Sequence, residues 1–156
     1  MLHAIQRTAI LLSAGARFTT SAMRCPHTQL RLRLGAAEIR DTAAGLIKGL
    51  ETAANDIESG TAQDALATWM RATDAVAVGS AEVCLPALIA TDAAARDAGA
   101  AAKRRIIDAF GNCYGRKALY DAIKASETTD PLLARARDKH VARFEANGLA
   151  LADAGA

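Results

Sequence analysis

Three histidines, His3, His27 and His140, are the first residues to test for chemistry. A catalytic zinc needs imidazoles and carboxylates at fixed spacing on one face, as in His-Glu-x-x-His. His140 is followed by Val141, and no such run occurs anywhere in the chain. The thiols Cys25, Cys84 and Cys113 are odd in number and far apart, with no Cys-x-x-Cys and no histidine at ligand spacing. They read as small buried thiols of a reducing compartment, with a redox or metal role as the alternative. Ser59, Ser80 and Ser126 lack a Gly-x-Ser-x-Gly setting, and no base is placed beside Cys84 or Cys113. The run Gly111-Asn-Cys-Tyr-Gly115 follows no strand pattern and has no lysine-serine sequel, so it is not a phosphate loop. The spacing therefore assigns no catalytic, cofactor-binding or metal-binding residue.

Two further features have a bland reading beside a functional one. The triplet Lys103-Arg104-Arg105 sits beside Asp108 and reads as the solvated face of a helix, not an RNA contact, because backbone binding needs several clustered cations and usually stacking aromatics. Trp69 and Tyr120 read as core anchors before they read as ligand-stacking rings. No nucleic-acid partner is expected.

The elements that must carry these residues are helical. Of 156 residues 39 are alanine, 51% are apolar and only 4% aromatic. Alanine is the best helix former and a poor strand former, so disorder, a disulfide scaffold and a β-sandwich are excluded. It also buries little area, so the core is thin and a partner is expected. The uncharged apolar stretches fall short of a bilayer: the longest, Ala75 to Ala90, contains Glu82 and Pro86, so no membrane span is expected.

Charge divides the chain at Glu38. Residues 1–37 hold Arg7, Arg17, Arg24, Arg31 and Arg33 with no acid or lysine, and the rest holds 14 cations against 17 anions. Leu2, Ile5, Ala9 and Leu12 line one helical face, with Gln6, Arg7 and Ser13 off it. An Arg-only, acid-free, amphipathic stretch has the makeup of a mitochondrial transit peptide. Residues 1–35 are thus read as transit peptide and linker, residues 36–156 as a helical domain, and the matrix as the destination. The segment Arg17-Phe18-Thr19-Thr20-Ser21-Ala22 is similar to a presequence cleavage region. A secretory signal around Ala9 to Ala16 and a basic disordered tail are the rivals.

Apolar steps of three and four predict five helices in antiparallel hairpins, an all-α array. The first spans Glu38 to Ile57 and ends near Ser59-Gly60. The second runs from Thr61, as N-cap, to about Val78, where Gly79-Ser80 breaks or kinks it, and Pro86 leaves Glu82 to Ala90 irregular or a short helix. Thr91-Asp92 caps a third helix to Phe110, ended by Gly111-Asn112 and Gly115. A fourth covers Lys117 to Ala125, and a fifth starts at Pro131 and runs to about Ala146 before Asn147-Gly148.

From Thr61 onward the chain resembles the N-terminal helical region of the thimet-oligopeptidase-like zinc metallopeptidases, most closely the mitochondrial intermediate peptidase branch. The resemblance is carried by Leu66-Ala-Thr-Trp-Met-Arg-Ala-Thr-Asp74, by Ala77 to Thr91, by Asp92 to Phe110, and by Asn112 with the pair Leu119-Tyr120. Its most specific part is Arg143-Phe144-Glu145-Ala146-Asn147-Gly148-Leu149-Ala150-Leu151, similar to the family's Phe-Glu-x-x-Gly-(Leu/Ile)-x-Leu. The resemblance implies helices that wall a deep channel, admit short peptides and do not touch the zinc. It marks Asn112, Leu119, Tyr120, Phe144, Glu145, Gly148, Leu149 and Leu151 as structural motif residues, and carries over no catalytic residue.

Two functions follow as expectations. One is a non-catalytic helical portion of a mitochondrial zinc metalloendopeptidase that processes imported precursors, with the zinc and the peptide substrate belonging to the parent enzyme alone. The other is a helical accessory subunit of a mitochondrial matrix or inner-membrane complex without enzymatic activity. Import has a direct test: residues 1–25 fused to a fluorescent reporter should carry it into mitochondria, and a uniformly cytosolic reporter refutes the leader.

Overall fold

The computed structural model describes residues 34–149. The segment expected to be a leader, with Arg17, Phe18, Thr19 and Thr20, lies outside the described residues, as do His3, His27, Cys25 and Leu151. The described residues form helices joined by short turns, with no strand among them.

Helix α1 (Ala36–Glu58) opens at Gly35, whose backbone N–H donates to the Glu38 carboxylate at 3.0 Å, one half of a capping box. It closes in a Schellman turn: the N–H groups of Gly60 and Thr61 donate to the carbonyls of Ile57 (3.1 Å) and Asp56 (3.0 Å). Gly60 takes φ +73 there, a conformation that favours glycine. Helix α2 (Ala65–Cys84) starts one turn later than its expected cap. Asp64 caps it by accepting from the Ala67 N–H at 2.8 Å, while the Thr61 hydroxyl turns back to the Asp56 carbonyl. Helix α3 (Pro86–Ile89) is a single turn opened by proline, and α4 (Ala93–Tyr114) is capped by Asp92, which accepts from Ala94 and Ala95. Helix α5 (Lys117–Lys124) and helix α6 (Pro131–Phe144) close the chain, α6 capped by Asp130 at 2.8 Å from Leu132 N and continued by a π turn over Glu145–Leu149.

Two expected breaks are absent. Gly79-Ser80 does not interrupt α2, which continues to Cys84, and Gly111-Asn112 does not end α4, which runs a further turn to Tyr114. A helical glycine costs about 1 kcal/mol against alanine. In α4 the extra turn brings Cys113 and Tyr114 into the core, and in α2 it brings in Val83, so the apolar area gained outweighs the propensity lost. The stretch around Ala75–Ala90 is also longer as a helix than as an apolar run. Ala65–Ile89 is long and apolar enough to cross a membrane by length and composition, with a mean hydropathy of 1.4 over an 18-residue window of which 22% is buried. In this fold its Leu66, Trp69, Val76 and Val83 are buried against the other helices.

Helix α1 is the central element. It packs along both α2 and α4 and touches α5, while α3 lies on α4 and α6 pairs mainly with α5 and the π turn. Its buried residues are Ile39, Ala43, Leu50, Ala53, Ala54 and Ile57, and those of α4 are mostly small, Ala95, Ala98, Gly99, Ala102 and Ala109 among them. Arg116, in the α4–α5 turn, donates to the Asn55 amide oxygen at 2.7 Å and pairs with Glu58 at 3.4 Å, tying that turn to the end of α1.

Small residues are placed where backbones meet. A Cβ on Gly99 would stand 2.8 Å from the Ala87 backbone nitrogen and 3.2 Å from the Val83 carbonyl oxygen. Gly99→Ala should therefore lower stability by about 1–3 kcal/mol, because backbone, not a flexible tip, must move. Gly45 in α1 has nothing within 4 Å of the same position, so Gly45→Ala should raise stability by about 0.5–1 kcal/mol. Urea midpoints of the two variants check both signs.

Candidate functional site

The richest chemistry in the described residues lies at the end of the bundle where α2, α4, α5 and α6 bring their aromatic residues together. Trp69 comes from the second turn of α2, Phe110 and Tyr114 from successive turns of α4, Tyr120 from α5, and His140 and Phe144 from successive turns of α6. Spacing of four places each helical pair on one face. Phe144 is fully buried, with ring centroids 4.7 Å from Tyr114, 5.8 Å from Tyr120 and 6.1 Å from Trp69. Trp69 meets Tyr114 edge-on at 5.6 Å and His140 at 6.4 Å. Edge-to-face and tilted contacts of this kind add to the area buried.

The two tyrosine hydroxyls are paired around the rim. The Tyr114 hydroxyl lies 3.1 Å from His140 Nδ1. In the neutral tautomer protonated on Nε2, Nδ1 accepts a hydrogen bond from the phenol; in the other tautomer it donates to the phenol oxygen. The Tyr120 hydroxyl donates to Glu145 Oε1 at 3.1 Å and accepts from Lys124 Nζ at 2.7 Å, with the same ammonium 4.9 Å from the Tyr120 ring centroid. Asn147 Nδ2 donates to the Gly111 carbonyl at 3.0 Å and fixes the π turn over α4. Trp69 Nε1 is buried without a partner.

Burial pushes His140 below the ordinary histidine value of 6.5, helped by Arg143 and Lys139 and opposed by Asp74. Burial also pushes the thiols of Cys113 and Cys84 up, which leaves the thiolate scarce and both cysteines poor nucleophiles. Both thiols are free; Cys113 is buried and Cys84 half-buried. No three His, Cys, Asp or Glu side chains among the described residues are grouped to hold a metal ion.

Beside the aromatic joint, Phe110, Tyr114, Arg143, Ala146 and Asn147 line an open groove of about 400 Å³. A second and wider depression, about 610 Å³, lies at the α5–α6 loop between Glu127, Thr128, Thr129 and Arg137. Arg137 donates to the Ser126 carbonyl there and pairs with Asp138, which accounts for its charge.

The motif residues singled out in the sequence are distributed unevenly. Tyr120, Phe144 and Glu145 meet directly, and Leu119 is buried beside them in the same core. Gly148 sits in the π turn at φ +107, a conformation suited to glycine, and Leu149 packs on the core from that turn. Asn112 is exposed on α4 and joins none of them. Trp69 is a core anchor as expected. The Tyr114–His140 pair and the groove escaped sequence reasoning, since 26 residues separate the partners; the repeat of aromatic rings at four-residue spacing, 110 with 114 and 140 with 144, was the available signal. Comparison with family models, curated proteins and solved structures finds no match to this chain.

The joint makes two predictions. Phe144→Ala should cost about 3–5 kcal/mol, the range for emptying a buried aromatic site, read from denaturant unfolding. Because the folded His140 holds its proton less well than the unfolded chain, acidification below 6.5 protonates the unfolded chain first and stability falls, until His140 itself is charged. His140→Gln should flatten that decline between about pH 7 and pH 5.

Proposed function

We propose that this chain is a non-catalytic helical part of something larger: the N-terminal helical portion of a mitochondrial zinc metalloendopeptidase that processes imported precursor peptides. The observation that carries the non-catalytic, covered role is the apolar surface left open. Among the described residues Leu88 is 82% exposed, Leu132 75%, Ile107 58% and Ile89 52%, although large side chains make up most of the buried core and alanine about a third of it. Large apolar side chains left this open to water gain by being covered. The peptidase assignment rests on the family resemblance, and the convergence of Tyr120, Phe144 and Glu145 on one rigid joint suits a wall element. Zinc, the glutamate that activates its water, and the peptide-binding groups belong to the remaining polypeptide in this reading. The Arg-only leader supports a matrix location.

The accessory-subunit reading is favoured by one observation of its own. Helix α6 is held chiefly at its C-terminal end through Phe144, while Leu132 and Leu133 stand out at its start, as they would if a separate chain clasped that end. An in-frame continuation downstream of Ala156 that encodes His-Glu-x-x-His selects the peptidase; its absence selects the subunit. Under either reading the purified chain should be helical by circular dichroism and should leave a quenched-fluorescent peptide uncut with added zinc. Chelator-sensitive cleavage by this chain overturns both.

A further inference from the structure

Helix α6 carries a pattern that its packing does not use. Leu132, Arg135, Lys139 and Arg143 fall at i, i+3, i+7 and i+11, a single stripe along the helix. All four are exposed. Among the described residues none of the three cations has a hydrogen bond or an ion pair, and the acid of α6, Asp138, is off the stripe and taken up by Arg137. Three unneutralised charges in a row on an otherwise amphipathic helix form a directed positive field.

The stripe leads into the groove. Arg143, its last member, is also a wall of the cleft whose other walls are Phe110, Tyr114, Ala146 and Asn147. That cleft has an apolar floor, but not one for a nucleobase. Tyr114 is buried and already stacked by Phe110 at 6.1 Å and by His140 at 6.5 Å. Base stacking needs a free ring face, whereas an aliphatic or aromatic tip needs only the cleft. The Asn147 amide, committed to the Gly111 carbonyl, holds the far wall in place.

We propose that this surface docks an acidic segment of a partner polypeptide. Carboxylates spaced about 6 Å apart, the rise over four helical residues, meet Lys139 and Arg143, and a large apolar residue next to them enters the groove over Phe110. The inference rests on the reading of this chain as a covered part of an assembly and names the chemistry of what covers it. Complementary charge sets the register of such a contact and speeds the encounter, and the groove supplies the anchor.

The test uses the full chain and a fluorescein-labelled peptide bearing glutamates four residues apart and a leucine at one end, followed by fluorescence anisotropy. The peptide should bind with an affinity that falls as salt is raised, and its glutamine counterpart should not bind. Arg143→Glu should weaken binding about tenfold or more, whereas Arg104→Glu, an exposed cation of α4 outside the groove, should leave it intact. Circular dichroism confirms that both surface variants fold, and Lys139→Glu repeats the test at the neighbouring position. Absence of binding, equal loss in the Arg143 and Arg104 variants, or displacement of the peptide by single-stranded RNA or by phosphatidylserine vesicles overturns the proposal. Those outcomes leave the covered-part reading untouched; chelator-sensitive peptide cleavage is what removes that reading.

Discussion

Backbone proximity is the condition on which this molecule rests. Alanine offers one methyl group, and dispersion falls away steeply with distance, so helices faced with alanine cohere only when their axes come close. Helix α1 buries Ala43, Ala53 and Ala54, and α4, which packs along it, buries Ala95, Ala98, Ala102 and Ala109. Glycine marks the tightest points. Gly99 lies against the backbone of Val83 and Ala87, and a Cβ on Gly79 would stand 2.6 Å from Leu46. The two differ in kind: a leucine tip yields by rotating, a backbone nitrogen does not.

Where the small residues run out, aromatic rings take over. One end of the bundle is closed by Phe144 set among Trp69, Tyr114 and Tyr120, with the two tyrosine hydroxyls bonded to His140, Glu145 and Lys124. This joint holds α6 by its last turn, and the helix leaves the joint toward solvent with its first turn exposed. The same arrangement explains why the cationic stripe of α6 stays free: the helix is anchored along the face that carries His140 and Phe144, and the stripe runs beside that face. Architecture thus converts a packing problem into a presented surface.

How much of this was legible beforehand depends on the range of the interaction. The helical class, the starts of α4 and α6, and the closing turn of α1 were readable because each rests on neighbours within about one helical turn, as Asp92, Asp130-Pro131 and Gly60 do. The starts and stops that were misread also have local signals, but distant burial outvoted them. Gly79 and Gly111 are poor helix formers, yet Val83, Cys113 and Tyr114 reach the core only if the helix continues through them. Asp64, not Thr61, caps α2 because the Thr61 hydroxyl is engaged by the end of α1.

By itself the sequence determined an alanine-dominated helical chain with a cationic, acid-free beginning, since propensity, capping and charge count are properties of residues and their near neighbours. Only the tertiary structure decided which rings meet. The Tyr114–His140 bond, the Tyr120–Glu145 bond and the groove at Arg143 join segments roughly 25 or more residues apart, and their existence depends on the distance and angle at which whole helices cross. Those angles follow from the summed fit of small side chains along every interface, a quantity no single stretch of chain contains.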